Sequence, residues 1–353
     1  MKIALITDIH FGARNDNKKI ADFQEKFFNE VFIPYLDNNN ITTVIDLGDT
    51  FDRRKYINFV SLDRSKKMFF DPLAERNIAL HALVGNHDAF YKNTLEVNSM
   101  DLLTSCYANV NVIKQPQVVN FDGLDILMIP WICANNEKEI FDLCAQTTSQ
   151  VVFGHLELSG YQMYRGQSIY HGMDDKWLKK FDIVCTGHYH TKSTTGNINY
   201  LGCPYEMTWS DYDDQKGFHI FDTDTRELTF IPNPFNMFYK IHYNDVEMVV
   251  TDVINLDMSI YRDRIIKVII KNKTNPYWFD MFIEKLEKAE PLHVQVVEDH
   301  LNLNLDNDKE IIQEAQDTLT ILNNYIQQLE TVGDKNAVSN IMRELYAEAL
   351  SIE

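Results

Sequence analysis

Carboxylates, an amide and imidazoles recur in this chain at one kind of place, directly after a short apolar run. Gly85-Asn86-His87-Asp88 follows the run at 78–84, which has the make-up of a buried strand, and its glycine lets the backbone turn as it leaves the sheet. Four other stretches repeat the pattern. Residues 3–6 lead into Thr7-Asp8-Ile9-His10, 44–47 into Gly48-Asp49, 151–153 into Gly154-His155, and 183–186 into Gly187-His188-Tyr189-His190. In open α/β sheets ligands bind beyond the carboxyl ends of the strands, so five such ends should converge on one site.

The chemistry these side chains suit is phosphodiester hydrolysis. Two divalent ions roughly 3.5–4 Å apart acidify a bridging water and neutralise the phosphoryl oxygens. Mixed carboxylate, amide and imidazole donors suit Mn²⁺ or Fe²⁺ better than Ca²⁺, which takes oxygen, or structural Zn²⁺, which favours thiolates. We expect two Mn²⁺, with Mg²⁺ or Fe²⁺ as alternatives. Asp49 is the expected bridge, joined by Asp8, His10 and His190 at one ion and by Asn86, His155 and His188 at the other. Taken singly, an Asp after a strand is a turn residue or a cap, and a lone His such as His81 or His219 is structural. It is the ordered set of five motifs that carries the reading.

The elements that must position these residues follow from the hydrophobic pattern. Between the first and second strands, 20–36 places Phe23, Phe27, Val31 and Tyr35 at helical spacing, and 62–73 offers a second helix, the alternation expected of an α/β domain. Strand-like runs at 118–121, 125–131, 198–201, 218–221 and 228–231 imply a second sheet. Pro232-Asn233-Pro234 cannot continue a central strand and marks a boundary, so 1–235 reads as the catalytic domain. Residues 236–302 read as a small unit with strands at 237–243, 265–270 and 294–297 and a helix at 276–289. In 303–353, Ile312, Ala315, Leu319, Leu322, Ile326 and Leu329 form a heptad-like stripe, Gly333 can end that helix, and Asp334 can cap a second. This helical hairpin suits either packing on its own domain or docking on a partner's helices.

Composition bounds the setting. The chain has 353 residues, 45% of them hydrophobic, enough for one large packed domain and a smaller one. No apolar run approaches the ~20 residues of a membrane helix, and the start at Met1-Lys2-Ile3 lacks a signal-peptide layout. The five cysteines are scattered without a Cys-x-x-Cys pair, as reduced core thiols are. A soluble cytoplasmic protein is expected. The net charge of −19 weighs against tight unassisted binding to DNA, although 306–353 alone holds ten acidic and three basic residues.

Five motifs in this order, spread over 8–190, resemble the signature of the calcineurin-like metallophosphoesterases. Within that superfamily the chain is similar to the SbcD nuclease family, known in archaea and eukaryotes as the meiotic-recombination-eleven family. The stretches that carry this are Thr7-Asp8-Ile9-His10-Phe11-Gly12, Gly48-Asp49-Thr50-Phe51-Asp52-Arg53-Arg54, Gly85-Asn86-His87-Asp88, Gly187-His188-Tyr189-His190 and Gly202-Cys203-Pro204. Tyr91-Lys92-Asn93 and His171-Gly172-Met173-Asp174 are most like the recombination endonuclease subunits of large tailed phages, which would place the protein in a bacterial host's cytoplasm.

The resemblance implies a two-sheet αββα sandwich with a small α+β capping domain and the C-terminal helical hairpin. It implies a Mn-dependent double-strand exonuclease with endonuclease activity, acting on DNA ends in recombination and double-strand-break repair. The hairpin would bind an SMC-type ATPase, and the nuclease would be a homodimer through helices near 61–71 and 93–105, with Val97, Met100, Leu102 and Leu103 as an apolar face. It also implies that His87 stands beside the scissile phosphate without binding metal, and a neighbouring Asp52 carboxylate would stabilise its protonated form. Arg262, Arg264, Lys267 and Lys271 are the candidates for DNA phosphate contacts, though the same run reads as a strand with one wet face. A phosphoprotein phosphatase or small-molecule phosphodiesterase would use the same centre, and a scaffold subunit would have lost the chemistry.

Overall fold

The structure is a computed structural model that describes residues 1–298; the expected hairpin at 303–353 lies outside the described residues. Seventeen strands follow one another along the described residues. They are β1 (Lys2–Ile6), β2 (Thr43–Asp46), β3 (Ala79–Leu83), β4 (Val110–Ile113), β5 (Gln117–Phe121), β6 (Leu124–Ile129), β7 (Val151–His155), β8 (Gln162–Tyr164), β9 (Gln167–Ser168), β10 (Ile183–Gly187), β11 (Ser193–Thr195), β12 (Ile198–Tyr200), β13 (Gly217–Asp222), β14 (Leu228–Pro232), β15 (Phe238–Asn244), β16 (Ile265–Asn272) and β17 (His293–Glu298). One sheet runs β14-β13-β1-β2-β3-β4 and a second runs β11-β12-β10-β7-β6-β5. In each, neighbouring strands run parallel and antiparallel pairs continue the sheet at one edge or both: β1, β2, β3 and β4 run together while β13 opposes β1 and β14 opposes β13, and β6, β7, β10 and β12 run together while β5 opposes β6 and β11 opposes β12.

Alternation along the strands explains how the sheets stack. Ile3 and Leu5 of β1 meet Ile126, Met128, Val151, Phe153 and Cys185 in a core shared by the two sheets. The alternate residues Ala4 and Ile6 face outward, where Phe27, Phe28, Phe32, Phe69 and Phe70 from helices cover them. On the other outer face, Leu127, Ile129, Val152 and Val184 are covered by Ile140 and Cys144 of the helix Glu137–Gln146. Parallel strands covered on both faces need apolar residues at consecutive positions, and Ile3-Ala4-Leu5-Ile6 supplies them. The described chain is thus two mixed sheets flanked by helices, with further α/β elements after them.

The two helical stretches expected at 20–36 and 62–73 both contain a π-turn. Lys18–Phe27 passes through Phe28–Phe32 into Ile33–Asn38, and Phe59–Ser65 passes through Lys66–Phe70 into Asp71–Glu75. Adjacent residues on a regular helix point ~100° apart, so widening one turn lets the neighbours Phe27 and Phe28, and likewise Phe69 and Phe70, all be buried. Phe28 and Phe69 then meet at 5.2 Å between ring centroids.

After β14 come three parallel strands in the order β15-β16-β17, with the helix Pro276–Lys288 between the last two. Ile266, Val268, Ile270, Phe282 and Leu286 give this sheet its own core. Its junction with the preceding layers is made by Glu206, whose carboxylate accepts from the backbone N–H groups of Met237 (2.5 Å) and Phe238 (2.9 Å). Of the basic run, Arg264 and Lys267 lie against the preceding layers. Arg264 sits over the Phe23 and Tyr239 rings, Lys267 over Trp209, and Arg262 pairs with Glu290 at 3.0 Å; Lys271 shares its strand face with Lys267. Among the described residues no helix is long and apolar enough to cross a membrane.

Candidate metal centre

All five motifs leave the same end of the two sheets. Asp8 and His10 follow β1, Asp49 follows β2, Asn86 and His87 follow β3, His155 ends β7, and His188 and His190 follow β10. Turning the chain there requires left-handed backbone at Asp8, His10, Asp49 and His188, whose φ values are 52°, 51°, 57° and 86°. Such conformations persist only where the surroundings hold them, and they collect at functional sites. Two glycines allow the loops to touch. A Cβ on Gly85 would lie 2.2 Å from an Asp49 carboxylate oxygen, and one on Gly187 would lie 1.9 Å from the Thr7 hydroxyl.

The side chains gather as two clusters on either side of Asp49. Asp8, His10 and His190 form one and Asp49, His155 and His188 the other, each close enough to hold an ion. In the first, His10 Nε2 and His190 Nε2 face each other at 3.2 Å. In the second, the Asn86 amide oxygen lies 3.0 Å from both His155 Nε2 and His188 Nδ1, and Asp49 Oδ2 lies 3.3 Å from His155 Nε2 and 3.9 Å from His10 Nε2. Ring nitrogens and carboxylate oxygens aimed at shared points are what divalent cations require, and a single Asp within reach of both clusters is what a bridging ligand requires. The residues present fit a two-metal phosphoesterase centre.

Hydrogen bonds behind the ligands set their orientation. His155 Nδ1 donates to the Leu47 carbonyl at 2.8 Å, which leaves Nε2 as the free lone pair. Asp8 accepts from the His188 N–H at 3.1 Å and from the Thr7 hydroxyl at 2.8 Å, while Asp49 accepts from the His87 N–H at 2.7 Å. The surrounding carboxylates also act on the charge of these rings. Burial disfavours a charged imidazole at His10 and His155, yet the Asp52 and Asp49 carboxylates at His10 and Asp49 at His155 outweigh it and push both up to about 9. Burial together with the charge on His155 pushes His188 down to about 3. Burial opposes ionisation of Asp49 too, but the charges of His155, His87 and His10 hold it well below the usual carboxylate range.

Asp52 stands beside both His10 and His87, one of its carboxylate oxygens within 4.8 Å of a ring nitrogen of each. Its carboxylate lies 3.3 Å from His10 Nδ1, and it is its backbone carbonyl that accepts from His87 Nδ1, at 2.6 Å. Asp52 therefore stands behind a metal-ligand candidate, and His87, edge-on to His10 at 4.9 Å, is oriented by backbone. The expected apolar face near 93–105 is altered. Met100 is buried in the core while Leu102 (68% exposed) and Val97 (41%) face solvent and line one pocket with Tyr56.

Motif reading named Asp88 but gave it no task. Its carboxylate accepts from the backbone N–H groups of Asp49, Thr50, Phe51 and Gly85 and from the Ser99 hydroxyl, at 2.9–3.3 Å, joining the β3 loop to the β2 loop. Asp46 does a smaller version of this, accepting from Gly48 N–H and Thr50 Oγ1. Both sit inside or beside the motifs, so their position was a signal. Asp211 and Lys216, a buried pair behind His190, carried none.

The calcineurin-like phosphoesterase family profile matches residues 1–203. Exonuclease subunit 1 of Enterobacteria phage T4 is 33% identical over 352 residues, which is 99% of each chain. Putative phosphoesterase 078R of Invertebrate iridescent virus 3 is 26% identical over 210 residues, 57% of each chain. Putative phosphoesterase 244L of Invertebrate iridescent virus 6 is 23% identical over 225 residues, 60% of this chain and 73% of that one.

Proposed function

The chain belongs to the calcineurin-like phosphoesterase family, and from that premise we propose that it is a manganese-dependent DNA nuclease. It degrades double-stranded ends exonucleolytically, with endonuclease action, in end processing, recombination and double-strand-break repair. The observation that carries this is the pair of ligand clusters about Asp49 in a chain matched end to end by a phage exonuclease subunit. Two divalent ions bound there would supply an acidified water and relief of charge on the phosphoryl oxygens.

The protein's own groups do the rest. Asp8, His10, Asp49, Asn86, His155, His188 and His190 hold the ions. With Nδ1 committed to the Asp52 carbonyl, His87 presents Nε2 to the substrate side and donates a hydrogen bond or proton to the leaving oxygen. Asp52 holds the His10 ring in its ligating orientation. Arg53, which a phosphatase would aim at its substrate, is instead paired with Asp16 at 3.0 Å and Asn15 at 2.7 Å, and this favours the nuclease over the phosphatase. Partners in this reading are an SMC-type ATPase, bound by 303–353, and a second copy met through the exposed Val97 and Leu102. Arg262, Arg264, Lys267 and Lys271 contact DNA only where phosphate displaces their present protein partners.

The test is degradation of linear double-stranded DNA with Mn²⁺, without and with the ATPase. Asp49→Ala should abolish cleavage with loss of metal, and His87→Ala should lose roughly 10²–10⁴-fold with metal retained. Wild-type turnover of a phosphopeptide with no cleavage of DNA under either condition would refute the nuclease assignment.

A further inference from the structure

A further group of ligand-type side chains lies behind His190, formed by His190, Cys203 and Asp211. It already holds a cation. The Lys216 ammonium, with a side chain only 3% exposed, lies 2.9 Å from Asp211 Oδ1 and 2.8 Å from Asp214 Oδ2, and donates to the His190 backbone carbonyl at 2.8 Å. Its three protons are thereby all used. Asp211 in turn accepts through its other oxygen from Met207 N–H, Thr208 N–H and the Thr208 hydroxyl, at 2.9–3.2 Å. The Cys203 N–H meets the same His190 carbonyl at 3.2 Å. A buried lysine is costly unless fully paired, and this one is paired on every side with its charge directed at the backbone of a metal-ligand candidate.

The two clusters depend on this arrangement unequally. His155 is the last residue of β7, lies in register with Gly187 of β10, and has its ring fixed by the Leu47 carbonyl. His190 lies three residues beyond the end of β10, in a loop that starts with left-handed His188. Its backbone carbonyl is held by Lys216 and Cys203. We propose that Lys216 is a positioning residue that sets one metal site and not the other: its ammonium fixes the His190 loop so that Asp8, His10 and His190 converge, while Asn86, His155 and His188 converge without it. This rests on the two-metal reading above and adds that the two sites are separable.

The experiment is Mn²⁺ titration of the full chain by calorimetry, with electron paramagnetic resonance to distinguish coupled pairs of ions from single ones. The wild type is compared with Lys216→Met and with Lys216→Met/Asp211→Asn, which removes both charges should the single variant fail to fold. Thermal melts establish that the variant measured is folded. We expect the tighter ion to bind within about 3-fold of wild type, the other to weaken about 10–100-fold, and the coupled signal to give way to a single-ion one. Two ions at wild-type affinity in a folded variant, or equal weakening of both, would overturn the proposal, as would a wild type that takes fewer than two ions. Because the readout is binding, a wild type that takes two ions and cuts no DNA refutes only the nuclease reading, and the variant comparison still decides this one.

Discussion

Asp88→Asn removes one charge and changes no shape, yet it strikes the joint between the two loops that carry Asp49, Asn86 and His87. Oδ1 of Asp88 accepts from Phe51 N–H and Ser99 Oγ, and Oδ2 from Asp49, Thr50 and Gly85 N–H. An asparagine placing its amide nitrogen at the Oδ1 position orphans only Phe51 N–H, since the serine hydroxyl can turn to accept; the opposite rotamer orphans three. One orphaned buried N–H costs about 1–3 kcal/mol, and converting three charge-assisted bonds to neutral ones costs about 1 kcal/mol each. Against this stands relief from burying a charge, because burial and the neighbouring Asp49 carboxylate raise the pKa of Asp88. The net is roughly 3 kcal/mol of destabilisation, or about 6–12 °C in Tm for a domain of this size. Scanning calorimetry on the metal-free protein measures it, and Mn²⁺ titration should show affinity lowered about 10–100-fold as Asp49 loses its backing. A Tm within about 2 °C of wild type would mean that Asp88 is already neutral and that the loops are joined by something else.

Gly85→Ala should leave a folded protein, by circular dichroism, that has lost Mn²⁺ binding and DNA cleavage together, since the new methyl would lie 2.2 Å from an Asp49 carboxylate oxygen and 2.3 Å from its backbone nitrogen; wild-type metal affinity would refute the close approach. Glu206→Gln should change stability with a definite pH sign. Burial pushes the Glu206 carboxyl from 4.5 up to about 7 despite its two backbone donors, so the folded state binds the extra proton between those values. Wild-type stability from this group is full below about pH 4.5 and is lost as pH rises to about 7. Gln keeps the acceptor without the charge, so it should raise stability by up to about 3 kcal/mol at pH 8 and leave it unchanged near pH 4.5; an equal shift at both pH values would refute the account.

The ligand candidates were legible because each stands two to four residues past an apolar run, where a carboxylate, an amide or an imidazole has little packing to do. Many of the strands were legible as apolar runs, but 218–221 and 228–231, expected in the second sheet, join β1 in the first, because strand pairing is a long-range choice that local pattern does not encode. The π-turns were not legible, because Phe23, Phe27, Val31 and Tyr35 recur every four residues, and that spacing does not show where a turn widens. The nearer partner of the Asp52 carboxylate could not be read either, since Asp52 touches His10 with its side chain and His87 with its backbone, and spacing does not distinguish the two contacts. Lys267 and Arg264 looked like residues of a wet strand face; cation–aromatic contact with Trp209 and Phe23 is a long-range pairing that local pattern does not encode. Lys216 reaches the His190 carbonyl across 26 residues of sequence, a pairing that spacing does not encode.

The return of β13 beside β1 has a consequence for the chain as it is made. β1, made before the other strands described, carries Asp8 and His10 at its exit and is hydrogen-bonded on one side to β13, with Lys2 opposite Asp222. At about 5–20 residues per second, roughly 10–40 s separate the emergence of these neighbours from the ribosome. Until then β1 has an open edge, and the loop bearing His190 has no Lys216 to anchor it. A nascent or prematurely ended polypeptide therefore holds several of the acid and imidazole groups without the frame that aims them, and the cutting centre comes into being only with a finished catalytic body.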